Sequence, residues 1–186
     1  AIFIRNYVGL NNFGYYSVGI TLTQIFTFLA EAIATILLPK LSGMKNKQKT
    51  INIVRKSIYL HFSLLLIGLI LLLVFSKQLI LLIFTEKYIF ANKVILPLAI
   101  THIFLYGHKI YSSVWQGLNK PVISSLTIGF AAILNLGFGY WFTKNFGITG
   151  TGWAMAISSI SAFILTLMIF ELKWKIFFRT KDLGNS

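Results

Sequence analysis

The sequence predicts an all-α fold, a polytopic transmembrane helical bundle of about five spans, and three observations support this. Hydrophobic residues make up 56% of the 186 residues and charged residues only 11%. The apolar residues are gathered into long stretches, each close to the ~20 residues that a helix needs to cross a ~30 Å hydrocarbon layer. Basic residues crowd the linkers that follow alternate stretches. The predicted spans are 15–38, 57–75, 94–115, 122–142 and 148–170, followed by a tail at 171–186.

The charge balance is strongly positive, with four acidic residues against seventeen Lys and Arg. A nucleic-acid-binding protein would carry such residues on a polar, solvated face. Here they lie between and after apolar spans, so we expect membrane lipids and no nucleic acid as partners. The chain has no cysteine, which excludes disulfides and thiolate chemistry.

The distribution of basic residues predicts the orientation. If the spans alternate in direction, five basic residues fall on one side of the membrane and eleven on the other, the latter being Lys40, Lys45, Lys47, Lys49, Arg55, Lys56, Lys120, Lys173, Lys175, Arg179 and Lys181. Because Lys and Arg are enriched in cytoplasmic loops, the richer side is predicted to be cytoplasmic, together with the C-terminal tail. An anionic-lipid patch at 44–56 is an alternative reason for the basic residues there.

Two segments do not fit a simple count of spans. Residues 78–92 are too few to cross the membrane again, so they are predicted to extend the second helix or to lie at the outer interface. The N-terminal residues show neither an initiator methionine nor a signal peptide. We therefore expect this chain to be a C-terminal piece of a longer protein.

A polar stripe runs along the first predicted span. Its members follow one another at steps of three or four residues, which keeps them on one helix face: Ser17, Thr21, Gln24, Thr27, Glu31 and Thr35. Threonine and serine in such a stripe often only bond neighbouring helices. A carboxylate within a span is costly and indicates a functional site, so Gln24 and Glu31 are predicted to face a cavity.

The third span carries a second stripe, formed by His102, Tyr106, Lys109, Ser113 and Gln116. His102 and Lys109 are seven residues apart, or about 10 Å along a helix. Together they can hold an extended anion, or one of them can pair with Glu31. His61 and His108 lie outside the stripe and are interpreted as structural residues.

The last two spans carry the pattern of packing helices. Gly150, Ala154, Ser158 and Ala162 recur every four residues, which is typical of a close helix–helix seam. The sequence has no nucleophile motif, no zinc motif and no phosphate-binding glycine loop. We therefore predict a protein that is not an enzyme and needs no cofactor.

Short motifs along nearly the whole chain resemble the C-terminal lobe of the polysaccharide biosynthesis flippases, within the multidrug/oligosaccharidyl-lipid/polysaccharide exporter superfamily. The motifs are Val8-Gly-Leu-Asn-Asn-Phe-Gly-Tyr-Tyr-Ser17, Leu37-Leu-Pro-Lys-Leu-Ser42, Ile83-Phe-Thr-Glu-Lys-Tyr88, Gln116-Gly-Leu-Asn-Lys-Pro121 and Phe146-Gly-Ile-Thr-Gly-Thr-Gly-Trp-Ala154.

This resemblance implies a transporter of two helical lobes in the bacterial inner membrane. Its substrate would be an undecaprenyl-diphosphate-linked oligosaccharide, such as an O-antigen or capsular repeat unit, moved to the periplasmic leaflet. Relatives carry arginines near the outer start of the equivalent first helix, and Arg5 is the matching position here. The predicted substrate-binding residues are then Arg5, Gln24, Glu31, His102, Tyr106 and Lys109.

Three other functions fit the sequence less well. A multidrug exporter of the same superfamily, coupled to protons or sodium, would use Glu31 as its cation site, but the charges inside these spans are mixed. A membrane enzyme needs a large polar outer loop, and the outer linker at 76–93 is largely apolar. A non-transporting membrane assembly protein would have no need of two polar stripes.

The orientation is testable because the chain has no native cysteine. A single cysteine at position 47 should resist an impermeant reagent added outside intact cells, whereas one at position 87 should react, because the basic linker is predicted to be cytoplasmic. Labelling of position 47 from outside would show that the predicted orientation is wrong.

Overall fold

The computed structural model describes residues 7–42 and 47–182, and the described part of the chain is α-helical with no strand. The prediction of an all-α fold is confirmed. The helices are α1 (Leu10–Thr23), α2 (Ile25–Ser42), α3 (Lys47–Ile83), α4 (Asn92–Gly117) and α5 (Pro121–Asp182), with a 3₁₀ helix at Glu86–Ala91 between α3 and α4.

Within the described ranges, four helical stretches are long and apolar enough to cross a membrane: Leu10–Ile33, Lys49–Ile83, Glu86–Gly117 and Pro121–Leu172. The segment at 78–92 extends α3 as far as Ile83, which is one of the two structures predicted for it, and then forms the 3₁₀ helix. Its position at the outer interface stays a prediction.

The first predicted span contains a local break at Gln24, between α1 and α2. The hydroxyl of Thr23 lies 2.9 Å from the carbonyl oxygen of Gly19 and 3.0 Å from that of Ile20. Beyond it, the amide of Thr27 donates to the carbonyl of Gln24 at 2.8 Å, a tighter three-residue turn. Threonine hydroxyls that bond to their own helix bend it, and such turns mark helix irregularities.

The long helix α5 turns back on itself at Gly147, where φ is 62° and ψ is −141°. The hydroxyls of Thr143 and Thr151 lie 2.7 Å apart. In a straight helix, residues eight positions apart are separated by about 12 Å along the axis. Residues 121–146 and those after Gly147 are therefore two adjacent segments joined without a loop.

Contacts with α4 show the direction of each half of α5. Before the break, Thr127 bonds to His108 and Ile123 packs in the same cluster as Trp115, so this half of α5 runs antiparallel to α4. After the break, α5 runs parallel to α4. There, a side chain added at Gly152 would touch Pro97, and one added at Gly107 would touch Phe163.

Helix α3 runs opposite to α4 by the same criterion. Ser76 donates a 2.5 Å hydrogen bond to Asn92, and the ring of His61 bonds to the carbonyl of Ile103 at 2.9 Å. Successive segments therefore alternate in direction on both sides of α4, as a chain that crosses a membrane repeatedly requires. The points at which each span enters the bilayer stay a prediction.

Helix α4 lies at the centre of the bundle and contacts every other helix. It contributes to each of three buried apolar clusters, through Ile110 and Val114 in one, Ile95 in another and Leu98 in the third. By contrast α3 is apolar and largely exposed along its outer side, with Leu66, Ile67, Ile70, Leu71 and Val74 all more than half exposed. Such a surface suits contact with lipid.

Small residues let the helices approach α4 closely. The predicted seam of Gly150, Ala154, Ser158 and Ala162 is buried, as expected. At Gly107 on α4, an added Cβ would lie 2.9 Å from the ring of Phe163 and 3.4 Å from that of Phe62.

Replacing Gly107 with alanine should therefore destabilise the bundle. We expect a loss of about 1–3 kcal/mol, the usual effect of overpacking a filled core. The matched control is Gly129→Ala on α5, where an added Cβ meets nothing within 4 Å. Thermal unfolding in detergent should show a lower midpoint for Gly107→Ala alone. Equal midpoints for the two variants would contradict the packing described here.

Candidate functional site

The polar stripes of the first and third spans meet at one surface of the bundle. Lys109 on α4 donates to Glu31 on α2 at 2.9 Å, and the two side chains are 44% and 49% exposed. Tyr106 donates its hydroxyl hydrogen to Thr27 at 2.8 Å. The two contacts follow the same order on both helices, so α2 and α4 run in the same direction, as spans one and three should.

The remaining members of the predicted site occupy different positions relative to this surface. His102 stacks on the ring of Tyr106, with centroids 5.9 Å apart and planes 11° from parallel. Gln24 is exposed at the break between α1 and α2, one turn before Thr27. Arg5 lies outside the described residues. The structure therefore groups Glu31, Tyr106, Lys109 and His102 on one polar surface, which we call the polar face.

Serine and threonine in the stripe of the first span bond mainly to their own helix. Ser17, Thr21 and Thr35 each donate to a backbone carbonyl four residues earlier, at 2.8–3.0 Å. Their hydrogen-bonding needs are met without a neighbouring helix. In the described part of the chain, the polar contacts of this stripe with α4 thus come from Thr27 and Glu31.

A pocket of about 380 Å³ adjoins the polar face, between α4 and the first turns of α5. Its polar lining consists of Tyr106, His108, Lys109, Ser112, Gln116, Ser124 and Ser125. Tyr106 and Lys109 belong to both the pocket and the polar face. Of the seven, these two were predicted from the sequence to bind substrate. The missed signal is the spacing of His108 and Ser112, which lie at steps of four before Gln116 on α4.

The two histidines interpreted as structural, His61 and His108, are both buried, and each makes a hydrogen bond to a neighbouring helix. His108 Nε2 lies 2.8 Å from the hydroxyl oxygen of Thr127. The hydroxyl of Thr127 also lies 3.2 Å from the carbonyl oxygen of Ile123 and 3.0 Å from that of Ser124. The tautomer of His108 sets the direction of its bond: Nε2 either donates to the hydroxyl or accepts from it.

The partner of His61 determines which ring nitrogen carries the hydrogen. A carbonyl can only accept, so the ring Nε2–H donates to Ile103, and Nδ1 has no partner within the part of the chain that the structure describes. The ring also packs edge-on against Phe62. His61 thus attaches α3 to α4 in an apolar setting and lies apart from the polar face.

A second pocket, of about 430 Å³, lies near the opposite end of α4. Asn12, Tyr15, Phe90 and Lys93 line it together with the turn at Gly147. The ammonium group of Lys93 lies 5.3 Å from the centre of the Phe90 ring. In the described ranges, no group of three His, Cys, Asp or Glu is placed to hold a metal ion.

Comparison with known proteins identifies the family. Residues 1–93, half of the chain, match the family described as "Polysaccharide biosynthesis protein". The "Probable low-salt glycan biosynthesis flippase Agl15" of Haloferax volcanii is 28% identical over 148 residues, which cover 78% of this chain and 31% of that protein. The chain thus spans about a third of this relative's length. No solved structure is significantly similar to this chain.

The comparisons agree with the helical structure. Several long apolar helices and a flippase relative together indicate a multi-pass membrane protein. The resemblance derived from the short motifs is confirmed, and this chain belongs to the polysaccharide biosynthesis protein family of membrane flippases.

Proposed function

We propose that this chain forms part of a flippase that moves a lipid-linked oligosaccharide from the cytoplasmic to the outer leaflet of the cell membrane. The observation that carries the proposal is the polar face, where the charged pair of Glu31 and Lys109 joins two parallel helices within the predicted spans. The Haloferax relative is named for a low-salt glycan. The proposed substrate is therefore the general class of lipid-linked glycans. The O-antigen and capsular repeat units of the bacterial inner membrane are proposed as examples of that class.

The polar face is proposed to line an aqueous cavity. Glu31 and Lys109 are each nearly half exposed in this chain. A charged pair exposed to hydrocarbon would cost several kcal/mol, so charged residues within spans face a protein interior or water. The rest of the transporter, beyond this lobe, would form the opposite wall.

Lys109 is proposed to bind the diphosphate of the lipid carrier. Its ammonium group has three N–H bonds, and Glu31 accepts one of them. The other two remain for a ligand on the exposed side. An exposed ion pair contributes at most about 1 kcal/mol, so a doubly charged ligand can compete with the carboxylate at little cost.

Glu31 is proposed to orient Lys109 and to accept hydrogen bonds from the substrate or bind a coupling cation, either a proton or sodium. We also propose that the basic ends of the helices, including the C-terminal tail, lie on the cytoplasmic side. Transport of this kind forms no covalent bond, so the protein needs no catalytic residue.

Removing the charge of Lys109 should reduce export strongly. In the intact transporter, Lys109→Ala should lower the surface glycan by roughly tenfold or more, the effect of losing a charge-assisted contact of ~1.5–3 kcal/mol. Lys109→Arg should retain part of the activity, since it keeps the charge with a different geometry. The double variant Lys109→Ala with Glu31→Ala separates two roles. Recovery of export in the double variant would show that the pair only joins the two helices.

Changes at Glu31 test the carboxylate itself. Both Glu31→Gln and Glu31→Leu should give folded protein at wild-type abundance, because the side chain is half exposed, yet both should lower surface glycan. The control is Glu86→Gln, an exposed carboxylate on the 3₁₀ helix. If both Glu31 variants support full export, the residue has no part in transport.

A further inference from the structure

We propose that the pocket between α4 and the first turns of α5 binds a sugar of the translocated glycan, namely the sugar joined directly to the carrier phosphate. This rests on the proposed flippase function and goes beyond it by assigning a site for the glycan. The pocket measures about 380 Å³, within the range of small-molecule sites in proteins.

The hydrogen-bonding groups of the pocket favour a polyhydroxylated ligand. Nε2 of His108 is engaged by Thr127, and the second ring nitrogen, Nδ1, is a donor or an acceptor according to the tautomer. Gln116 donates its amide hydrogen to Ser112 at 3.2 Å, which leaves the amide oxygen of Gln116 as an acceptor and the hydroxyl hydrogen of Ser112 as a donor. The pocket therefore offers both donors and acceptors. A sugar hydroxyl can meet both, whereas a phosphate group offers only acceptors.

Two neighbouring serine hydroxyls, one buried and one exposed, support the same ligand. Ser124 is 7% exposed, and its hydroxyl has no hydrogen-bond partner among the described residues. A buried hydroxyl left unpaired is destabilising. Ser125, one residue further on, is exposed and makes a long 3.4 Å bond to the carbonyl of Pro121. A sugar hydroxyl would supply the partner that Ser124 lacks, and it can also bond to the exposed hydroxyl of Ser125.

The charges around the pocket place the sugar relative to the phosphate. Among the residues that the structure describes, no carboxylate lines the pocket, and Lys109, which lines it, also pairs with Glu31. A neutral pocket beside an ammonium group fits a ligand that is neutral at one end and anionic at the other. In a lipid-linked oligosaccharide the first sugar is bonded to the phosphate, so the two would lie side by side here.

Binding measurements on the intact, purified transporter test this assignment. Two probes are compared, a polyisoprenoid diphosphate bearing an oligosaccharide from the host organism and the same lipid diphosphate without sugar. Wild-type protein should bind the first more tightly. Ser125→Leu, which fills the pocket from its exposed side, should weaken binding of the glycan-bearing lipid by about tenfold, the loss of one or two hydrogen bonds. It should leave binding of the sugar-free lipid unchanged.

Two further variants complete the experiment. Gln116→Leu removes the acceptor from another exposed position and should act like Ser125→Leu. The matched control is Ser63→Leu, an exposed serine on α3 outside the pocket, which should bind both lipids like the wild type. Each variant must elute as a single species with an unchanged thermal midpoint. Gln116→Leu decides the result if Ser125→Leu does not fold.

The outcomes separate this inference from the function on which it rests. If the wild type binds neither lipid, the proposed flippase function fails. If it binds both lipids equally, or if the pocket variants weaken both equally, the flippase function stands and the sugar pocket is wrong. A loss confined to the glycan-bearing lipid, in both pocket variants and not in Ser63→Leu, would support the assignment.

Discussion

The packing of α4 is the constraint on which the rest of the structure depends. This one helix contacts every other helix and joins all three buried clusters. In lipid, apolar burial does not drive helices together, because lipid tails are as apolar as leucine, so close packing and polar contacts hold the bundle. The hydrogen bonds from α4 to Thr27, His61 and Thr127 are such contacts.

Under the proposed function, the same helix must also present Lys109 to an aqueous cavity. Its buried sides accept Phe163 and Phe62 against Gly107, and its polar side carries Tyr106 and Lys109. The ion pair with Glu31 is too exposed to contribute much stability. The bundle can therefore keep its fold whether or not that pair is made, since the apolar clusters and the buried hydrogen bonds hold α4 independently.

The sequence predicted features that depend on composition and helical period. The all-α fold, the two polar stripes and the seam at Gly150 follow from residue types at steps of three or four, and the structure shows them. The family followed from motifs that lie mostly at helix ends, where glycine, asparagine and proline have special backbone roles. The pairing of Lys109 with Glu31 was one of two open possibilities, because the period gives a helix face but not the rotation between two helices.

Features that depend on how two helices meet could not be predicted. The pocket lined by His108 and Ser124 exists because the first turns of α5 lie opposite a second face of α4. No periodicity in either helix specifies that meeting. The turn at Gly147 was predicted only in position, as the gap between the spans 122–142 and 148–170, because an apolar pattern does not show that two helices can join without a loop.

The first half of α5 extends from one pocket to the other. Its first turns carry Ser124 and Ser125, which lie near one end of α4 beside Lys109. The turn at Gly147 lines the pocket near Lys93, at the other end of α4. The two halves of α5 are joined without a loop and bond through Thr143 and Thr151. Both pockets are therefore lined in part by α5, one by its first turns and the other by the turn at Gly147, so the geometry of this turn fixes where the two halves lie against α4.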